Sequence, residues 1–220
     1  MRTFLLLALL SGWMVMLTSC RGGASIESLK EYQNYVAQES NGYTKEYTVK
    51  GKKLKMTYLT PEYIAFNELK NSESRSSEDL DSLLAVNRQT RVFLLSISDA
   101  ENSGKDIMYD GISSYSEYKE RNLSMNFDFK EFISLHTSDS EESKYPVLAS
   151  FVNTYGLGNE KQIYLVFSPD NLDGPLLHAD ELRVSYQDDI FHTGIHHFTF
   201  HKSQIDRPLE AGFLKKLFQS

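Results

Sequence analysis

The sequence predicts an α+β fold, a mostly antiparallel β-sheet with helices packed on one side, in a single domain. Three observations predict it. Val92 to Ile97 and Ile163 to Phe167 are apolar on both strand faces, the mark of central strands covered on both sides. Shorter runs alternate apolar and polar residues, as half-buried strands do. The elements also follow the order helix, hairpin, helices and then mostly strands, which segregates helices from strands along the chain.

Each element has a local reason. Residues 26 to 39 place Ile26, Leu29, Tyr32, Val36 and Ala37 at helical spacing, with Ser25 as the expected N-cap and Asn41-Gly42 as the left-handed stop. Residues 44 to 49 and 53 to 59 alternate through Tyr47, Val49, Leu54, Met56 and Tyr58, predicting a hairpin turned around Gly51. Thr60-Pro61 is a cap followed by a first-turn proline, opening a helix that carries Ile64, Phe66 and Leu69. Residues 71 to 77 read as a solvated loop. A short amphipathic helix follows with Leu80, Leu83, Leu84 and Val86 expected inward. Residues 113 to 122 read as helical, and 125 to 135 as a strand with Met125, Phe127 and Phe129 on one face. Further strands are expected at 147 to 155, 182 to 186 and 195 to 200. A small amphipathic helix after Pro208, using Leu209, Phe213, Leu214 and Leu217, is expected to dock on the sheet.

Composition narrows function. The chain has 220 residues, with 23 basic and 30 acidic side chains and a formal charge of −7. Forty per cent hydrophobic residues fit a globular domain rather than a disordered chain. The acidic balance argues against a nucleic-acid partner, because phosphate contacts need a Lys/Arg-rich face. One cysteine excludes a disulfide framework and a Cys-based zinc site.

The address lies in the first twenty residues. Arg2 precedes an apolar run from Phe4 to Leu17, too short for a permanent span of about 20 residues but of signal-peptide length. The run ends in Leu17-Thr18-Ser19-Cys20, which resembles the lipobox of bacterial lipoproteins. That resemblance implies that residues 1–19 form a signal peptide removed before Cys20. Cys20 would then carry diacylglyceryl and acyl chains, and residues 20–24 would tether one α+β domain over 25–220. Several acyl chains at one site suffice for stable anchoring, at about 0.8 kcal/mol per buried CH₂. Loss of Arg2 leaves 22 basic against 30 acidic residues, a mature charge of −8. By resemblance to lipoprotein sorting rules, Arg21 after the cysteine implies the outer membrane. Arg21 to Ser25 carry no acidic surface-export stretch, so the domain is expected to face the periplasm, with exposure at the cell surface as the alternative.

Candidate chemistry is sparse. Four of the six histidines, His192, His196, His197 and His201, crowd one segment with Asp188 and Asp189 nearby, a candidate metal-ligand set. On a strand His197 and His201 share one face while His196 joins Phe198 and Phe200 on the other. Residues four apart on a strand lie about 13 Å apart, too far to share one zinc at about 2.0–2.1 Å per ligand unless the chain bends. Asp170 to Pro175 misses calcium-loop spacing at Leu172 and reads as a turn. Ser116-Glu117-Tyr118-Lys119 matches Ser-x-x-Lys, without the companion motifs of penicillin-recognising enzymes. Gly156-Leu157-Gly158 lacks the third glycine of a dinucleotide loop, and no cofactor is expected. Carboxylate pairs such as Asp188-Asp189, Glu141-Glu142 and Asp79-x-Asp81 would serve a hydrolase only if the fold made them converge. Tyr109, Tyr115, Tyr118 and Tyr145, in or near loops, are the candidate partner surface.

Taken with the lipobox, the Asn41-Gly42 to Tyr58 hairpin, Thr60-Pro61-Glu62-Tyr63 and the Tyr186 to Ile195 segment are similar to uncharacterised lipoproteins of gut- and mouth-dwelling Bacteroidetes. This resemblance implies an envelope address and a single domain, and assigns no activity. The expected function is a lipid-anchored, non-enzymatic envelope protein that binds an envelope protein or glycan. A histidine-based metal-binding protein and a hydrolase with fold-assembled carboxylates are the alternatives.

Overall fold

A computed structural model describes residues 25–72, 76–101, 104, 106–152, 159–169, 174–207 and 209–215. Cys20, Gly156-Leu157-Gly158 and residues 170–173 lie outside the described residues. The described chain runs β1 (Ser25–Ile26), α1 (Leu29–Ala37), β2 (Thr44–Val49), β3 (Lys52–Leu59), α2 (Pro61–Lys70), α3 (Ser77–Asn87), β4 (Arg91–Asp99), α4 (Tyr115–Leu123), β5 (Ile133–Thr137), β6 (Ser140–Lys144), β7 (Leu148–Phe151), β8 (Lys161–Phe167), α5 (Pro175–His178), β9 (Glu181–Asp188), β10 (Gly194–His201), α6 (Lys202–Ile205), β11 (Glu210–Ala211) and α7 (Gly212–Lys215).

The α+β class holds, and the antiparallel strands divide between two sheets. The larger has the order β2-β3-β4-β8-β7, the smaller β10-β9-β5-β6, and β1 with β11 forms a short parallel pair. The doubly apolar run 92–97 is the central strand of the larger sheet, as its pattern requires. Its inner face carries Phe93, Leu95 and Ile97 beside Leu54, Met56 and Tyr58 of β3 and Ile163, Leu165 and Phe167 of β8. The smaller sheet covers that face with Leu182, Val184, Tyr186, Phe198 and Phe200, and Phe93 meets Phe200 at 5.0 Å between ring centroids. Burying such rings contributes about 1.5–3 kcal/mol each. Among the described residues one core results, running from Ile26 to Leu214.

Helix α2 lies beside the larger sheet at one place on its outer side. Tyr63 and Ile64 of α2 share a hollow with Leu59 of β3 and Tyr164 of β8. Thr60 caps α2 by accepting from the Tyr63 amide, and Pro61 sits in the first turn as predicted. The cap of α1 is Ser28 rather than Ser25, because Glu31 three residues on completes a reciprocal capping box. Ser25 is held in β1 instead. Lys50 (φ 46°) and Gly51 (φ 73°) form the two-residue hairpin turn between β2 and β3, both in the left-handed region such a turn demands.

Two further expectations give way. Residues 124–132 continue α4 as a wide turn and a 3₁₀ turn, and strand begins only at Ile133. Met125 and Phe129 are buried together at i,i+4, while Phe127 is 73% exposed. Val86 is 61% exposed rather than inward. The C-terminal α7 docks Phe213 on Tyr32 of α1 and Phe66 of α2, with Phe213 and Leu214 joining the core, while Leu217 lies outside the described residues.

Candidate functional site

A groove of about 570 Å³ runs between α4 and the loop joining β9 to β10. Asp110, Ile112, Glu117, Glu120, Arg121 and Ser124 line one wall, and Phe132, Asp189, Ile190, Phe191 and His192 the other.

The α4 wall is fixed at its first turn. The Ser114 hydroxyl accepts from the Glu117 amide at 3.2 Å. The Glu117 carboxylate in turn accepts from the Ser113 amide at 2.8 Å and from its hydroxyl. These bonds, the amide first, hold the Glu117 carboxyl below its ordinary value and keep it ionised at the groove rim. One turn on, Arg121 donates through Nη1 to the carbonyls of Ile107, Met108 and Asp110, the last at 2.7 Å. Its guanidinium also lies 5.0 Å from the Phe191 ring centroid, so one side chain ties α4 to both neighbouring segments.

The turn that Arg121 grips, Ile107–Tyr109, is braced from the larger sheet. Asp106 caps it by accepting from the Met108 amide and pairs with Lys161 of β8 at 3.0 Å. Asp110 at its other end pairs with the buried Lys52 of β3 at 2.7 Å. Tyr109 is therefore presented from a rigid base. It is 59% exposed and stacks on Tyr118 with centroids 5.0 Å apart, and Tyr118 stacks on the 80%-exposed Tyr115 at 6.4 Å. Desolvation within the stack and the adjoining Tyr109 hydroxyl raise the Tyr118 phenol above its ordinary value. Tyr145 is exposed but follows β6, outside the stack.

The opposite wall hangs on one buried carboxylate. Asp188 accepts from the Tyr186 hydroxyl at 2.8 Å and from the amides of Ile190, Phe191 and Thr193. The Thr193 hydroxyl also donates to it, and that oxygen lies 2.9 Å from His196 Nε2. Lys50, at the tip of the β2–β3 hairpin, donates to the His192 carbonyl at 2.6 Å. The loop is thus tied to both sheets, with His192 itself in left-handed backbone (φ 56°).

These bonds disperse the predicted metal set. Strand alternation turns His196 inward with Phe198 and Phe200, and His197 and His201 outward. His197 Nδ1 lies 2.8 Å from the Ser185 hydroxyl, while His201 sits beside Glu181 at 3.9 Å. Asp188 is occupied by its five donors, and Asp189 accepts from Gln187. Among the described residues no three His, Cys, Asp or Glu side chains are placed to hold a metal ion. Asp79 bonds its own helix cap, Ser76, and so does not converge with another carboxylate as a hydrolase pair would.

Sequence reasoning missed two things here. Arg121 carried no motif, and its role depends on three carbonyls brought to it by the fold. His136 joins His197, Ser185, Arg183 and Glu181 in a hollow of about 370 Å³ on the outer face of the smaller sheet, through pairing across β9 that no local pattern announces.

No known family and no curated protein matches this chain. A crystal structure of a protein of unknown function from Burkholderia pseudomallei aligns at a TM-score of 0.36 and 10% identity, over 81% of this chain and 88% of that one.

Proposed function

We propose that the protein is a lipid-anchored, non-enzymatic binding module of the bacterial cell envelope, docking a Lys/Arg-bearing protein surface across the α4 groove. The observation that carries this reading is the Tyr115–Tyr118–Tyr109 stack on α4 and its neighbouring turn, the same helix that lends the carboxylates of Glu117 and Glu120 to the groove. Tyrosines supply large contact area at small entropic cost and attract cations over their faces. Acidic neighbours steer a basic partner by charge complementarity. The stack is braced before any partner arrives, which removes part of the ordering cost of binding. Cys20 supplies the membrane address through the lipobox resemblance.

Two measurements test the two halves. The intact mass of the membrane-extracted protein should correspond to a chain beginning at a diacylglyceryl-modified Cys20; an unmodified cysteine overturns the anchor. For the groove, a photo-crosslinker at Lys119 should capture a basic envelope protein in native envelopes. Capture should fall with added salt and be lost in Tyr118→Ala and Glu117→Gln. Capture indifferent to both substitutions, or turnover of an envelope polymer by the purified domain, overturns the binding reading.

A further inference from the structure

We infer that a second, basic pocket, between the start of α2, the end of α3, α5 and α6, binds a phosphate group. This pocket of about 410 Å³ gathers Arg88, Arg91, Lys202 and Arg207 against two carboxylates, Glu62 and Asp206. That balance is the reverse of the chain's own, which is acidic by seven charges.

The pairing inside the pocket leaves positive charge uncompensated. Arg91 is 5% exposed, donating to the carbonyls of Leu176 and Leu177, to the Tyr58 hydroxyl at 3.1 Å and to Asp206. Lys202 draws on the same Asp206 carboxylate, so one anion serves two cations. Glu62 reaches Arg88 only at 3.7 Å, from a guanidinium that is 62% exposed. Arg207 donates Nε to the Ser203 carbonyl and makes no ion pair among the described residues. Four cations against two anions leave an excess of two. A phosphate monoester carries about −1.5 to −2 at neutral pH, and the forked guanidinium matches its oxygens two at a time. A concave site focuses that potential more than scattered surface lysines do.

Position bears on where the phosphate comes from. Arg207 precedes by three residues Glu210, whose backbone pairs with Ser25. Three residues span at most about 11 Å, and the five from Cys20 to Ser25 at most about 18 Å. If Cys20 is lipidated as proposed above, the pocket lies within reach of phospholipid headgroups. The site itself does not depend on that anchor.

Residues 21–220, which contain the core of the described residues, serve for the test. Isothermal titration with inorganic phosphate and with glycerol 3-phosphate reads free phosphate. Flotation with phosphatidylglycerol vesicles, against phosphatidylcholine alone, reads the headgroup. Arg207→Gln and Arg88→Gln alter exposed side chains, and Arg183→Gln, on the other sheet, is the charge-matched control. Phosphate binding weakened about tenfold or more by either pocket variant and untouched by the control supports a soluble ligand. Flotation lost in the pocket variants alone, with no soluble binding, supports the lipid source. Silence in both arms, or equal loss in Arg183→Gln, overturns the site. An unlipidated Cys20 in the cell removes the headgroup argument and leaves the titration result standing.

Discussion

Tyr109 and Tyr118 lie face to face, centroids 5.0 Å apart and planes 14° from parallel, although one sits on a single 3₁₀ turn and the other on α4. The pairing depends on the two ion pairs that hold the turn, Asp106 with Lys161 and Asp110 with Lys52, both of which reach the larger sheet. A surface stack is thus referenced to the core rather than floating on a loop.

Removing the middle ring should separate binding from stability. Tyr118→Ala deletes both ring contacts, each worth about 0.5–1.5 kcal/mol, so thermal unfolding should show a loss of about 1–3 kcal/mol. Partner capture should vanish. Tyr145→Ala, outside the stack, should change neither, and an equal loss of capture there would deny the stack its role.

The Asp188 carboxylate should be the most sensitive single group of the groove. Asp188→Ala leaves the Tyr186 and Thr193 hydroxyls and three amides without their acceptor in a buried setting. Each buried donor left without an acceptor costs about 1–3 kcal/mol, so the loss should exceed that of any single bond. Thr193→Val, which removes one hydroxyl, should cost about 1–2 kcal/mol. Urea unfolding of both variants checks the ratio; equal, small losses would mean that the loop is held by something else.

How much of this was legible in sequence depends on the range of the interaction. The central strand at 92–97 was readable because burial on both faces writes itself into consecutive residues. Thr60-Pro61 was readable because capping is local. Met125 and Phe129 were misassigned because a spacing of four satisfies a strand and a helix alike, and only Phe127, exposed between them, separates the two. The tyrosines could be picked out as exposed, but their stacking rests on Asp106, Asp110 and Arg121, which meet their partners through the sheet. The division into two sheets was hidden for the same reason: alternation gives each strand's faces and not its neighbours. His197 opposite Ser185 and His136 beyond them require knowing that β5, β9 and β10 are adjacent.

Stability should decline at both ends of the pH scale, for opposite reasons. Burial lowers the His196 pKa, against the raising pull of Asp188, so the folded imidazole resists a proton that the unfolded chain accepts at 6.5. The unfolded state then binds more protons, and stability falls as pH drops through that value. His196→Gln should flatten the profile between about pH 7 and 5. Burial raises the phenols of Tyr32, Tyr43, Tyr58 and Tyr186 above 10.0. Here the folded state holds protons that the unfolded chain releases, so stability is lost as pH rises past 10. Phenolate absorbance should appear in two steps, exposed rings first and these four only on unfolding. A single smooth titration would contradict their burial.

Arg121 should behave as a positioning residue whose loss is felt at two remote places. Its single Nη1 serves three carbonyls of the turn carrying Tyr109, while its plane rests on Phe191 of the Asp188 loop. Lysine keeps the charge but cannot reproduce the flat face or the fork, so Arg121→Lys is not conservative here. The expected loss is about 1.5–3 kcal/mol, the range for hydrogen bonds from a charged donor. Its distinguishing sign is local. Amide exchange should quicken at 107–110 and 189–193 together, while the β3–β4 pair keeps its protection. Partner capture should weaken even though no tyrosine of the stack and no groove carboxylate has been changed. Quickened exchange across β3 and β4 as well would instead place Arg121 among groups that hold the whole fold, and would remove the link it makes between the tyrosine stack and the opposite wall.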